Sequence, residues 1–269
     1  MTIWVVGKKG LLSRALQKQM QCIATSSCEV DITNKLQVIE FCEQIRPTHV
    51  INAAAYTNVD LAESERAQAF AINAEGAENL AQAASLYGAR FVHVSTDYVF
   101  DGKAGEPYLE DAPCAPLNVY GLSKREGELR LMAAMPKACV IRTSWLSGPM
   151  TMIKWLQEKE LLQVVEDQLG KPTCVEDLAE AIVHLLDYEG VIHFANEGGG
   201  SRYQIARDLL QWMLQKKMPV RCERIDPVLS QEFPRPAVRP AYSMLDTTRY
   251  ATFYGKPRHW LEALDRRMG

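Results

Sequence analysis

Met1-Thr2-Ile3-Trp4-Val5-Val6-Gly7-Lys8-Lys9-Gly10-Leu11-Leu12-Ser13 opens the chain and decides how the rest is read. Ile3 to Val6 is a short apolar run ending at Gly7. From Leu11 to Met20, apolar residues (Leu12, Ala15, Leu16, Met20) return at helical spacing. Strand, glycine turn and helix in that order open a dinucleotide-binding unit. Gly7 and Gly10 let the backbone bend sharply and approach a pyrophosphate at the helix N-terminus, where free N–H groups favour an anion. Ser13 stands where a third glycine would allow the tightest helix-to-strand contact, and a plain strand-to-helix turn would read similarly.

The pattern continues along the chain. Strands are expected at 22–24, 49–53, 90–94 and 139–143, and helices at 35–45, 64–87 and 119–135, the first of these stopped before Pro47 and the last at Pro136. Such alternation calls for a doubly wound α/β fold, a parallel sheet with helices on both faces. The loop from Asp101 to Asn118, with Gly102, Gly105, Pro107, Pro113 and Pro116, lies where open α/β sheets bind ligands, at the carboxyl ends of the strands. After Gly148 the texture changes: helices at 175–186 and 201–214, short strands around 163–165 and 191–194, and a Pro/Arg-rich stretch from Asp226 to Pro240. Residues 1–150 therefore read as the dinucleotide-binding domain. Residues 151–269 read mainly as a smaller C-terminal substrate-binding lobe, with some segments returning to the sheet.

Bulk composition excludes several classes. The 269 residues are 47% hydrophobic and 23% charged, with no apolar run long enough to span a bilayer. A net charge of −3 with dispersed Lys and Arg gives no electrostatic footprint for nucleic acid. Seven scattered cysteines without a Cys-x-x-Cys pair read as reduced thiols, and the five histidines lack zinc-ligand spacing, so no metal site is expected. With no basic leader or cleavage site, the expected location is the cytoplasm.

Chemistry concentrates in four places. Tyr120 and Lys124, four apart, share one helix face, where the ammonium would favour the phenolate and make the tyrosine the proton donor of a carbonyl reductase. Ser95-Thr96-Asp97 ends a strand, and a hydroxyl there can hydrogen-bond the carbonyl that Tyr120 protonates. Asn52-Ala53-Ala54-Ala55-Tyr56 ends another in small residues, against which a cofactor can lie. Ala24-Thr25-Ser26-Ser27 supplies neither the ribose-binding carboxylate of NAD sites nor an arginine for a ribose phosphate, which leaves NAD or NADP open with a lean to NADP. Asp31 and Ile32 could meet the adenine, although an Asp-x-Thr helix cap explains Asp31 and Thr33 as well.

Taken together, Ser95-Thr96-Asp97-Tyr98-Val99-Phe100-Asp101-Gly102, Pro116-Leu117-Asn118-Val119-Tyr120-Gly121 with Lys124, and Arg142-Thr143-Ser144-Trp145 resemble the dTDP-4-dehydrorhamnose reductases, members of the extended short-chain dehydrogenase/reductases with a Rossmann domain. Asn52-Ala53-Ala54-Ala55 with Val59-Asp60, Asp167-Gln168 with Gly170 and Pro172-Thr173, and Arg239-Pro240 fit the same family, so the resemblance covers nearly the whole chain. It implies Thr96, Tyr120 and Lys124 as the catalytic set. Leu11, Leu12, Asp31, Ile32, Ala54, Ala55, Tyr56, Tyr120 and Lys124 would contact NADP or NAD, beside Gly7 and Gly10, and Thr96, Asp97 and Trp145 would meet the nucleotide sugar. The implied reaction is reduction of the C4 keto group of dTDP-4-dehydro-L-rhamnose. The alternatives are a sugar-nucleotide epimerase, another keto-sugar reductase, or a non-catalytic NADP-binding regulatory subunit. Ala15 stands where some members carry a glutamate that binds magnesium between subunits, so a homodimer would form here without that ligand. Leu146 to Met150 is shorter than usual and lacks the Asn-Phe pair that normally opens the next helix.

Overall fold

A computed structural model of the chain describes residues 1–268. Strand β1 (Ile3–Val6) leads through the glycine turn to helix α1 (Leu11–Gln19), followed by β2 (Ile23–Thr25), α2 (Lys35–Ile45) and β3 (His49–Asn52). A helical stretch then runs through α3 (Arg66–Phe70), a π-helical turn (Ala71–Glu75) and α4 (Gly76–Leu86) to β4 (Arg90–Thr96), α5 (Val119–Ala134) and β5 (Cys139–Thr143). The remainder comprises α6 (Gly148–Glu158), β6 (Leu161–Val165), β7 (Leu169–Gly170), α7 (Val175–His184), β8 (Gly190–His193), β9 (Gly200–Ser201), α8 (Arg202–Gln215), β10 (Arg224–Val228), α9 (Thr248–Tyr254) and α10 (Trp260–Met268).

Six strands form one parallel sheet in the order β2-β1-β3-β4-β5-β8. Buried on both faces, these strands carry apolar residues on both sides, as parallel sheets require. In β1, Ile3 and Val5 point into a core shared with Leu12 and Leu16 of α1 and Leu178 and Ile182 of α7. Trp4 and Val6 point the other way, into a core built with α2, α4 and α5. The strand order reverses between β1 and β3, so their carboxyl ends open a crevice at the switch point. A separate core of α6, β6, α8 and α10, centred on Leu156, Leu209, Met213 and Trp260, packs around the small β10-β6 sheet.

The strand expected around 191–194 returns to the main sheet, where it pairs with β5 as the edge. One expectation is corrected. The helix expected over 64–87 is interrupted. Leu61–Glu63 is a separate 3₁₀ turn, and the π turn at Ala71–Glu75 rotates Asn73 inward, where its amide donates to Tyr56 O (3.1 Å) and Ser123 Oγ (2.9 Å) and accepts from Tyr56 N (2.8 Å). Finally, the shortened segment after Trp145 still leads into a helix, α6, with Pro149 in its first turn, where the missing N–H costs nothing. Helices α9 and α10 were not expected.

Candidate active site

The glycine turn is built by backbone chemistry. Gly7 has φ +99°, and the N–H groups of Gly7 and Lys8 both donate to Thr25 O at 2.9 Å, pinning the turn to the end of β2. A Cβ on Gly7 would lie 3.0 Å from the Ala54 backbone, so only glycine lets the ends of β1 and β3 come this close. Gly10 is the N-cap of α1 and supplies no side-chain acceptor, which leaves the first N–H groups of the helix available to an anion. Ser13 is fully buried, as the tight contact at its position demands.

One cleft of about 520 Å³ gathers most of the expected residues. Gly10, Leu11, Leu12, Ala54, Ala55, Thr96, Asp97, Tyr120, Lys124 and Trp145 all line it. Gly7, Asp31, Ile32 and Tyr56 do not. Gly7 shapes the turn behind the wall, and Ile32 lies where a Cβ on Gly76 of α4 would meet it. Asp31 Oδ1 accepts from the N–H and the hydroxyl of Thr33 (2.9 and 2.8 Å), while Asn34 is the actual cap of α2. The Tyr56 hydroxyl donates to Glu65 at 2.7 Å.

Helix α5 is delivered to the sheet by its cap and its glycines. Asn118 Oδ1 accepts from Gly121 N (2.8 Å), and its amide donates to Val238 O (2.7 Å). A Cβ on Gly121 would strike Tyr98 O, and one on Gly127 would strike Asn73 O; these two absences bring α5 against the 3₁₀ turn that follows β4 (Asp97–Val99) and against the π turn. Tyr120 then sits at the start of α5, its ring edge-on to Tyr98 at 5.9 Å and 78°.

Lys124 departs from expectation. Its buried Nζ donates to Val94 O (2.7 Å) and lies 3.1 Å from His93 Nε2, turned toward β4. Burial lowers its pKa to about 8. Burial pushes the Tyr120 phenol above its ordinary value, opposed by the Thr96 hydroxyl and reinforced by the charge of Asp97. No lowering of the phenol by the lysine is found, and the lysine nitrogen is turned to the strand. A phenol held protonated is still the right state for an acid.

At the end of β4 the hydroxyls are already engaged. Ser95 Oγ donates to Glu128 (2.5 Å), which is itself forked by Arg142 (Nε 3.0 Å, Nη2 2.9 Å), so Ser95 belongs to a buried ion-pair network. Thr96 Oγ1 accepts from Tyr98 N (3.2 Å) and donates to Asp97 Oδ1 (3.0 Å). Burial raises the Asp97 carboxyl to about 6, against the pull of the Ser243 and Thr96 hydroxyls and of Arg202.

The far side of the cleft holds residues that sequence reasoning did not pick out. The Arg202 guanidinium stacks 4.2 Å above the Trp145 ring and donates to Gln168 Oε1 (3.1 Å). A Cβ on Gly170 would lie 2.5 Å from the same indole, so Trp145, itself at φ +42°, is clamped between a cation and a glycine. Arg202 and Tyr98 also line a second, adjoining cleft of about 610 Å³ with Trp155, Phe233, Arg235 and Arg239. Arg239 forks onto Asp60 (2.5 and 2.9 Å), which joins two of the sequence blocks that carry the resemblance. The Gly200–Ser201 pair just before α8 gives no hint of Arg202's role, since only folding brings it to Trp145.

Comparison with known proteins places this arrangement. The family model described as RmlD substrate binding domain matches residues 1–268. The chain belongs to this family. The dTDP-4-dehydrorhamnose reductase of Mycobacterium tuberculosis H37Rv is 40% identical over 269 residues, covering 94% of this chain and 86% of that protein. A crystal structure of a dTDP-4-dehydrorhamnose reductase from Clostridium acetobutylicum superposes with a TM-score of 0.93 at 38% identity, covering 100% of this chain and 98% of that one. That of Bacillus anthracis, in complex with NADP, gives 0.92 at 36% identity over 98% and 97% of the two chains. Among the described residues no helix is long and apolar enough to cross a membrane.

Proposed function

We propose that this member of the RmlD family is an NADPH-dependent oxidoreductase that reduces the C4 keto group of a dTDP-4-dehydro-6-deoxysugar, dTDP-4-dehydro-L-rhamnose becoming dTDP-L-rhamnose in the making of nucleotide sugars for cell-surface polysaccharide. One observation carries the reading: the uncapped N-terminus of α1, the Thr96–Tyr120 pair and the clamped Trp145 converge on a single cleft. The cleft fits a dinucleotide, because the Cβ missing from Gly7 and the small side chains of Ala53, Ala54 and Ala55 let a pyrophosphate approach backbone N–H groups. When bound, NADPH supplies the hydride.

The chain's own residues do the rest. Tyr120, kept protonated by burial, gives its proton to the oxygen as C4 becomes tetrahedral and the carbonyl electrons move onto that oxygen. Thr96 turns its hydroxyl from Asp97 to the same oxygen. Lys124 steadies the end of β4 from beneath through Val94 O and would hold the nicotinamide ribose when the cofactor is bound. Arg202, shared by both clefts, and Trp145 hold the sugar nucleotide across the opening.

In this reading residues 1–150 carry the dinucleotide, and residues 151–269 mainly close over the sugar nucleotide, with α7 and β8 returned to the main sheet. The seven unpaired cysteines fit a reducing compartment, the cytoplasm. The test is turnover by the purified protein: NADPH consumption that depends on the 4-keto sugar nucleotide, with a 4-hydroxy product. Cofactor binding without turnover would favour a regulatory role instead.

A further inference from the structure

We propose that His93 is a positioning residue that couples the protonation of Lys124 to the Asn52 amide and, through it, to the Ala54 backbone in the wall of the cleft. This rests on the reading of Lys124 as part of the site. Four groups, Ala54, Asn52, His93 and Lys124, form a chain in which each donor needs an acceptor.

Ala54 N–H donates to Asn52 Oδ1 at 3.1 Å. That bond fixes which end of the amide is which, since turning it over would set an NH₂ group against an N–H. Asn52 Nδ2, a donor, then lies 3.1 Å from His93 Nδ1, so Nδ1 accepts and the imidazole proton sits on Nε2. Nε2 lies 3.1 Å from Lys124 Nζ. Facing an N–H, the lysine has to present a lone pair, as the neutral amine, while one of its own hydrogens goes to Val94 O.

An ammonium requires the opposite tautomer. With the ring proton on Nδ1, two donors meet at Asn52, relieved only by turning the amide and giving up its bond to Ala54. The ring does not escape by taking a second proton, because burial and the neighbouring Lys124 charge hold its pKa well below the ordinary value. Protonating Lys124 and keeping the Ala54–Asn52 bond are therefore alternatives, in keeping with the lowered lysine pKa of about 8.

The other groups facing Lys124 do not replace this control. Glu128, one turn further along α5, favours the ammonium, but its carboxylate is already held by Arg142, Arg125 and Ser95. Tyr120, one turn earlier, stays a neutral phenol. Asn52, reaching in from β3, carries no charge. Ala54 is the backbone against which a Cβ on Gly7 would press, so the charge on Lys124 is felt at the strand end that meets the glycine turn.

Nitrogen NMR of isotope-labelled lysine and histidine in the full-length protein tests this directly, with Lys124→Arg identifying the Lys124 signal. In His93→Gln the side-chain amide can offer either end, so the Lys124 midpoint is expected to rise by about one pH unit, a roughly tenfold change in proton affinity. Asn52→Ala, which touches Lys124 only through His93, should raise it in the same direction and add nothing in the His93→Gln background. An unmoved midpoint in His93→Gln, or an Asn52→Ala shift that persists without His93, overturns the proposal. If either variant fails to fold, the wild-type spectrum decides: Nε2–H is expected for His93 with Lys124 unprotonated, and Nδ1–H in that state refutes it. Turnover is measured separately, so failure of this coupling and failure of the catalytic reading of Lys124 remain distinguishable.

Discussion

Replacing Tyr120 with phenylalanine isolates the proton donor. The ring and its edge contact with Tyr98 survive; only the hydroxyl opposite Thr96 is lost. Because the acid form is the working form, activity tied to it disappears only as pH rises through the folded-state pKa, which burial has moved above that of an ordinary phenol. Tyr120 is therefore fully protonated through the neutral range and imposes no pH limb there. Loss of a general acid removes about a hundred- to ten-thousand-fold in rate. At 1.36 kcal/mol per decade this raises the barrier by roughly 2.7–5.4 kcal/mol. Steady-state turnover of the 4-keto sugar nucleotide by Tyr120→Phe should fall by that factor with NADPH affinity unchanged within about threefold. Turnover within about threefold of wild type would refute the reasoning.

Three further outcomes follow from the geometry. Gly7→Ala meets both a φ of +99° and the Ala54 backbone at 3.0 Å, so NADPH binding measured by fluorescence should weaken at least about tenfold with a loss of roughly 1–3 kcal/mol in denaturant stability. Arg202→Leu removes the cation stacked on Trp145 and should raise KM for the sugar nucleotide about tenfold while NADPH affinity stays put; equal effects on both ligands would contradict the assignment. For Asp97, the folded protein keeps a proton that the unfolded chain has released between pH about 4 and about 6, so wild-type stability declines across that window as pH rises. Asp97→Asn lacks this loss, and its stability relative to wild type should improve from pH about 4 to about 7 by on the order of 2 kcal/mol in thermal melts.

The alternation of apolar strands and amphipathic helices made the sheet legible, since parallel strands buried on both faces leave continuous apolar runs such as Val5-Val6 and Val140-Ile141. β8 was legible as a strand but not by its sheet: it is only four residues long and flanked by lobe-like sequence, and only pairing with β5 shows that it is one of the segments returning to the main sheet. The π turn was invisible because its extra residue breaks no apolar spacing; its purpose lies in the Asn73 contacts with Tyr56 and Ser123. In the site, the motifs placed Thr96, Tyr120 and Lys124 together, yet spacing on a helix face could not tell that the lysine points to Val94 O and His93. Arg202 was hidden for a related reason, because its stacking on Trp145 joins positions 57 residues apart in sequence (202 − 145).

The most direct test of the central claim mixes the purified protein and NADPH with dTDP-4-dehydro-L-rhamnose and follows the loss of reduced-nicotinamide absorbance together with the sugar product. The account predicts one NADPH consumed per dTDP-L-rhamnose formed, by wild type and not by Tyr120→Phe. A wild-type protein that binds NADPH in this cleft and leaves the keto sugar unreduced would contradict it.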